Sequence, residues 1–102
     1  MLIYPLEISQ TASSGAWSFN TPKMNSSLLK QIIVEPATST TTFTFTITNN
    51  KGNTVFTTET KATGNLSREV EIPLKDICTI AVSGSSADEL FTGKLMIEEI
   101  GD

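Results

Sequence analysis

Apolar and polar residues alternate in steps of two along most of this chain, which is the pattern of half-buried β-strands. The clearest stretch is ATSTTTFTFTITNN, residues 37 to 50. Its Phe43, Phe45 and Ile47 are expected to face one way and the intervening threonines the other. Asn and Gly in NNKGN then suit the positive-φ positions of a hairpin loop, and TVFTTET follows as the antiparallel return strand. The pattern predicts a β-hairpin with one apolar face and one threonine face.

The same alternation continues on both sides of this hairpin. Strands separated by turn signals about every ten residues are predicted in MLIYPLEIS, GAWSFN, SLLKQIIVEP, LSREVEIPL, ICTIAVSG and LFTGKLMIEEI. Pro5 removes a main-chain donor, which places the first segment at a sheet edge or a bulge. Apolar residues on both faces of residues 32–34 indicate that the third segment is central or covered on both sides.

A helix is the main competing interpretation for SLLKQIIV, because Ser26 or Ser27 is a suitable N-cap residue. The β-branched run at residues 32–34 disfavours a helix there. We therefore expect helix only as one or two turns, near residues 22–29 and 87–90.

These segments together predict an all-β chain. The expected fold is a single antiparallel β-sandwich or jelly roll of about eight short strands, forming one domain over residues 1–102. The pattern leaves open whether the topology is that of a jelly roll or of an immunoglobulin domain. The residues expected in the interior are Trp17, Phe19, Ile32, Val34, Phe43, Phe45, Ile47, Phe56, Val70, Ile72, Ile80, Val82, Phe91, Leu95 and Ile97.

Composition agrees with an exposed β-sheet surface. The chain has 16 Thr and 11 Ser among its 102 residues, whereas charged residues make up only 18%. Thr is β-branched and fits a pleated, half-solvated surface, while helical surfaces usually carry Lys, Glu, Gln and Arg. The formal net charge of −4 argues against nucleic-acid binding, because affinity for phosphates needs clustered Lys and Arg.

The sequence also bears on compartment. No stretch reaches the roughly 18 apolar residues that a membrane span needs. The start MLIYPLEIS has neither a basic n-region nor a small-residue cleavage site, so it is not a secretory signal. The one cysteine, Cys78, cannot form an intrachain disulfide, and its place in DICTIAVSG predicts a small buried apolar residue. We expect a chain made in a reducing cytoplasm, without a signal peptide and with no membrane partner.

Catalytic chemistry has little support. The chain has no His, which excludes Ser-His-Asp and Cys-His arrangements and His-based metal sites. Glu69 and Glu71 flank Val70 on a predicted solvent face and fit solvated charges better than a glycosidase pair. The acidic pair at residues 88–89 lacks the ligand spacing of a calcium loop. We therefore expect no enzymatic activity, no cofactor and no metal site.

One alternative function depends on the aromatic residues. Trp17, together with Tyr4 and Phe19, could form a platform on which sugar rings stack, as in a glycan-binding β-sandwich module. A lone Trp on a strand between small residues is more often a core residue. The glycan-binding alternative stays open at the level of sequence.

Three features support a resemblance that spans roughly residues 28–100. They are IIVEPATSTTTFTFTITNNKGNTVF, VEIPLKDICTIAVSGSSADELFTGKLMIEE and the unprocessed start at Met1. In these the chain resembles the small all-β virion proteins of tailed bacteriophages, particularly capsid decoration (cement) subunits. The resemblance implies a virion structural protein that is made in the host cytoplasm and binds virion proteins such as the major capsid protein. It implies a homo-oligomer that stabilises the shell, and it leaves shell, neck and fibre open as the part bound.

The first strand is the leading candidate for partner contact. Its apolar side chains could close the chain's own sheet or add to a neighbouring subunit by β-augmentation, and we expect burial at or near a subunit contact. The tip of the 49–53 hairpin and the polar loop 83–89 are further candidates. The predicted contact residues are Leu2, Tyr4, Leu6, Asn49, Asn50, Ser85 and Asp88.

Overall fold

The protein is described by a computed structural model that covers residues 2–58 and 62–101. Most of this part of the chain is strand, so the all-β prediction is confirmed. Its one helical segment is a single 3-10 turn at Ser13–Gly15. The strands are β1 (Leu2–Ala12), β2 (Trp17–Asn20), β3 (Met24–Pro36), β4 (Thr42–Thr48), β5 (Thr54–Thr57), β6 (Ala62–Thr63), β7 (Leu66–Asp76), β8 (Thr79–Ser83) and β9 (Glu89–Gly101).

The strands form two antiparallel sheets. The first has the order β1-β9-β3-β7, and the second has the order β2-β8-β4-β5, with the short β6 also pairing with β4. The first strand therefore pairs with the last, the second with the second last, and the third with the third last. A chain paired in this way is one long hairpin rolled into a sandwich, which is the jelly-roll topology. Strand order thus selects the jelly roll over the immunoglobulin arrangement.

Short connections fix how the two sheets face each other. Residues 13–16 join β1 to β2, and residues 64–65 join β6 to β7. Because such short segments can only cross between neighbouring sheet edges, β1 lies over β2 on one side of the sandwich and β7 lies over β5 and β6 on the other. The molecule measures 40 × 23 × 21 Å, so the strands run between two well-separated ends.

Alternation along each strand produces the core. The predicted interior residues are all buried except for Phe19, Phe56, Val70 and Ile72, which are partly buried and pack against the others. Phe43 from the second sheet meets Phe91 from the first edge-to-face, with ring centroids 5.2 Å apart. Sequence reasoning did not include several further buried residues, which are Ile8, Ala12, Met24, Leu29 and Leu66.

The two predicted helical turns are wrong. Residues 24–29 belong to β3, which pairs with β7 on one side and β9 on the other. Pairing along both edges outweighs the N-cap propensity of Ser26 and Ser27, and register shifts near these serines and near Lys30 absorb the irregularity. Residues 87–88 form a turn, and β9 begins directly after it at Glu89.

Candidate interaction surfaces

The outer face of the second sheet carries no charged side chain in the part of the chain that the structure describes. Cross-strand register places Ser18, Ala81, Thr46 and Thr57 in one row, and Asn20, Thr79, Thr48 and Thr54 in the next. We call this surface the threonine face. Its residues are Ser18, Asn20, Thr42, Thr44, Thr46, Thr48, Thr54, Thr57, Thr79, Ala81 and Ser83.

The local cause of this surface is the strict period of two in β4. Phe43, Phe45 and Ile47 are fully buried, so the alternating threonines of the same strand must face outward. Neighbouring strands in a sheet lie about 4.8 Å apart, and residues on one face of a strand repeat about every 6.7 Å. The threonine face is therefore a regular array of hydroxyl and methyl groups. Within it the Thr79 hydroxyl donates to the Asn20 side-chain oxygen at 3.0 Å.

The outer face of the first sheet is different in character. Charged side chains lie on each of its four strands, at Glu7, Lys94, Glu35 and Glu69 among others. Lys30, at the register shift of β3, donates to Glu71 of β7 at 2.9 Å. This hydrogen bond and the charge of Glu71 raise the pKa of Lys30. The pair borders a shallow groove with Glu69 and Val70, and it is the solvated ion pair expected of an exposed strand edge.

The predicted contact residues of β1 lie against the chain's own core. Tyr4 and Leu6 face inward, are half-buried, and pack on the core cluster, while their strand pairs along its length with β9. Burial, and then the charge of Glu99, raises the pKa of Tyr4. The backbone of Leu2 pairs with Glu99, but its side chain lies outside the described part. Closure of the chain's own sheet accounts for much of the apolar character of β1.

The predicted contact residues Asn49 and Asn50 form hydrogen bonds that stabilise their own hairpin. The Asn49 side-chain oxygen accepts hydrogen bonds from the backbone N–H groups of Lys51 and Asn53, each at 2.9 Å. Asn50 donates from its amide nitrogen to Asp76 at 3.2 Å, which ties the β4–β5 hairpin to the end of β7. These bonds rigidify the tip, and Asn50 remains exposed at the surface. Contact with a partner at Asn49 and Asn50 stays a prediction.

The polar loop lies at the opposite end of the sandwich. Ser85 donates to the Gly15 carbonyl oxygen from its backbone N–H at 3.0 Å and from its hydroxyl at 3.2 Å. The Asp88 N–H donates to the Ala12 carbonyl oxygen at 2.9 Å. The predicted contact residues therefore lie in three separate places, which are the two opposite ends of the sandwich and strand β1. They do not come together into a single site.

None of the seven aromatic residues is exposed. Trp17 is only 7% exposed and lies against the rings of Phe19 and Phe91, with centroids 5.9 Å away in each case. Tyr4 and Phe19 are half-buried. The rings that the glycan-binding alternative would use as a stacking platform are therefore part of the core packing, as expected for a lone Trp on a strand.

Cys78 is fully buried, as predicted. Its thiol points to the Lys75 carbonyl oxygen at 3.7 Å, and burial raises its pKa. Such a thiol is held in the neutral form, which is a poor nucleophile. In residues 2–58 and 62–101 no cluster of three potential metal-ligating side chains is found. The same residues contain no helix of the length and apolarity that a bilayer crossing requires.

The solved structures that this chain is similar to include distant ones from two classes of protein. No family model matches the chain, and no curated protein matches it either. Among solved structures, the carbohydrate-binding module CBM36, in complex with calcium and xylotriose, is 17% identical, covering 93% of this chain and 87% of that chain, with a TM-score of 0.41. The infectious bursal disease virus Gx strain structure is 14% identical, covering 99% of this chain, with a TM-score of 0.40.

The corresponding Gt strain structure is 14% identical over 94% of this chain, with a TM-score of 0.36. The chain spans 32% and 30% of the lengths of the two viral chains. At these similarities the neighbours do not transfer a ligand or a partner to this chain. The functional argument therefore rests on its own surfaces.

Sequence reasoning recognised the outward threonines of β4 but did not place them in a site. Alternation in TIAVS and WSFN also indicates outward small residues in β8 and β2. Only the strand order shows that β2, β8, β4 and β5 lie side by side and combine into one surface. The missing information was pairing between distant segments, which no local pattern contains.

Proposed function

We propose that this chain is a non-enzymatic structural protein of a bacteriophage particle, namely a capsid decoration subunit that binds the assembled shell and stabilises it. The observation that carries this proposal is the uncharged threonine face, which extends across the four main strands of the second sheet. The resemblance of the sequence to small virion proteins of tailed phages supplies the class of particle. The partner is a virion protein such as the major capsid protein, and the subunit belongs to the virion.

The physical properties of the threonine face suit a protein partner. Thr and Ser side chains have few rotamers to lose, so ordering them in an interface costs little conformational entropy. Their hydroxyl groups donate and accept hydrogen bonds, while their methyl groups add apolar contact area. No ion has to leave water when this face is covered, which removes the largest desolvation cost of an interface.

The glycan-binding alternative has less support. Sugar recognition on a β-sandwich would draw on exposed aromatic rings, and the rings of this chain are buried or half-buried. The outward hydroxyl groups of Thr44, Thr46 and Thr48 can hydrogen-bond to a sugar, so glycan binding is an outcome that the same experiment detects.

A charge placed on the threonine face tests the proposal. Thr46→Lys puts an ammonium group in the middle of the face, on a strand that has neighbours on both sides. Thr92→Lys is the matched control, because Thr92 is an exposed Thr on β9, an interior strand of the other sheet. Mass spectrometry first establishes whether the chain is present in particles purified from the source of the gene. The binding of each variant to these particles is then measured by co-sedimentation.

We expect Thr46→Lys to weaken particle binding by a factor of about ten or more, because a buried, unpaired charge costs several kcal/mol. Thr92→Lys is expected to bind as the unmodified chain does. Both variants should keep the same circular dichroism spectrum, since both positions face away from the core. Equal binding by the two variants, or absence of the chain from purified particles, would refute the proposal. If the unmodified chain binds purified polysaccharide and Thr46→Lys weakens that binding, the glycan-binding module is favoured instead.

A further inference from the structure

Beyond Pro5, strand β1 is the least protected sheet edge in the described part of the chain. Among its eleven residues only Glu7 is charged. The opposite edge of the same sheet, β7, carries five charged residues and a register shift, and the second sheet ends in strands of four residues, β2 and β5. Proteins usually block open edges with charges, bulges, proline or short strands. The charged residues of β7 are Arg68, Glu69, Glu71, Lys75 and Asp76.

Pro5 reveals which main-chain groups of β1 point outward. β1 pairs with β9 in an unbroken register from Leu2 to Ala12, and a proline cannot donate to that ladder. The nitrogen of Pro5 therefore faces away from β9. Because the direction alternates along a strand, the N–H and C=O groups of Glu7, Ser9 and Thr11 also face outward. Ala12 is an even-numbered residue of β1, so its main-chain groups should face β9. Its carbonyl oxygen does so, because it accepts a hydrogen bond from the Asp88 N–H on the β9 side.

We infer that two copies of this chain pair antiparallel through their β1 edges, about a two-fold axis at Ser9. In this register Ser9 lies opposite its own copy and Glu7 lies opposite Thr11 of the second copy, in both directions. Each of these pairs consists of residues with outward N–H and C=O groups, so each exchanges two main-chain hydrogen bonds. The two first sheets then join into one continuous sheet through their β1 strands.

The registers centred closer to Pro5 are poorer. An axis at Glu7 places the two carboxylates directly opposite each other, which is destabilising. An axis at Ile8 places Pro5 opposite Thr11, so one donor of that pair is missing. The Ser9 axis avoids both problems, and this self-complementarity indicates a second copy as the occupant. The half-buried Tyr4, Leu6 and Phe19 pack against the core from β1 and β2, the edge strands of the two sheets on this side of the sandwich.

This inference does not depend on the proposed function, because it concerns the isolated protein. The first test is the oligomeric state by sedimentation equilibrium, over a concentration series. Ser9→Pro removes the central outward donor in both copies but no donor to β9. Ile3→Pro is the matched control, because Ile3 has the same outward parity, is 56% exposed, and lies outside the paired segment.

We expect a dimer in the unmodified chain and in Ile3→Pro. In Ser9→Pro the dimer dissociation constant should rise about tenfold or more, because two donors are lost and two acceptors are left unpaired. A monomer at all concentrations in the unmodified chain would overturn the inference. A dimer that Ser9→Pro leaves unchanged would also overturn it.

Cysteine cross-linking tests the register without depending on proline. In a hydrogen-bonded antiparallel pair the two Cα atoms lie about 5.5 Å apart, which is within the range of a disulfide. Ser9→Cys is therefore expected to form a covalent dimer on mild oxidation. Thr11→Cys is the control, since Thr11 is offset from its own copy by roughly 13 Å along the strands. Equal cross-linking of the two variants, or none in Ser9→Cys, would exclude the Ser9 axis even if Ser9→Pro failed to fold.

Discussion

At the scale of single residues, neighbouring positions of β4 have opposite environments. Phe45 is fully buried, and its ring centroid lies 6.1 Å from that of Phe56. Thr46, the next residue, belongs to the threonine face. A shift of one residue in the pairing of β4 would exchange the two environments. The surface properties on which the proposed function rests therefore depend on the register of this strand.

Alanine substitutions at these two positions test the register. Phe45→Ala removes a buried ring and should lower the free energy of unfolding by about 3–5 kcal/mol. Thr46→Ala removes an outward hydroxyl and methyl group and should change it by about 0.5 kcal/mol or less. Both values come from urea unfolding followed by circular dichroism. A loss below about 1 kcal/mol for Phe45→Ala would put the threonines inside and contradict the assigned face.

At the scale of the strand, Gly93 sets how closely β9 and β3 approach. It has φ of +151°, a conformation that other residues rarely adopt. A Cβ atom at this position would lie 2.0 Å from the Ile33 carbonyl oxygen of the neighbouring strand. Since β9 is interior and pairs with both β1 and β3, a displacement at Gly93 disturbs the middle of the first sheet.

Gly93→Ala is expected to lower the free energy of unfolding by more than about 3 kcal/mol, because strain in the backbone and a steric clash with main chain add together. Gly52→Ala is the control, since Gly52 has φ of +83° but a Cβ atom there would meet no other atom within 4 Å. It should cost only about 1–2 kcal/mol, the penalty of a left-handed residue. Equal losses in urea unfolding would show that the close approach of β3 does not constrain Gly93.

The local sequence pattern predicted strands and their pairing well where the paired strands are also neighbours in sequence. The β4–β5 hairpin and its turn at Asn49 follow from alternation and turn chemistry alone. The full length of β3 does not follow from the local pattern, because Ser26 and Ser27 become strand residues only through pairing with β7 and β9. The same limit applies to the candidate sites. Outward threonines can be predicted in one strand, but the surface they form needs the order of strands in the sheet.

At the scale of the whole molecule, β1 is part of the fold as well as a candidate edge for association. It covers one side of β9, and its Ile8 and Ala12 are buried in the core. Removing residues 1 to 8 would expose the edge of β9 together with part of the core, so loss of assembly after that deletion would not separate contact from folding. Substitutions at outward positions such as Ser9 make that separation.

The nested pairing of this fold also makes a prediction about folding rate. β1 and β9 pair although they lie at opposite ends of the described sequence, with Leu2 opposite Glu99. Closing such long loops is slow, and folding rates fall as the mean separation of contacting residues rises. A circular permutant that joins residue 101 to residue 2 by a short Gly-Ser linker converts this pairing into a local hairpin. New termini between Ser86 and Ala87 fall in an exposed loop that joins β8 to β9, which lie in different sheets.

We expect the permutant to keep the β-sheet circular dichroism spectrum and to refold several times faster than the original chain in stopped-flow experiments. The control is a chain with the same Gly-Ser insertion between Ser86 and Ala87 but the original termini, which keeps the long-range pairing and should refold at the original rate. If the permutant is equally stable but refolds no faster, then closure of the β1–β9 pair is not part of the rate-limiting step. Faster refolding would mean that the pairing that brings β1 to the sheet edge is also the slow event in forming the sandwich.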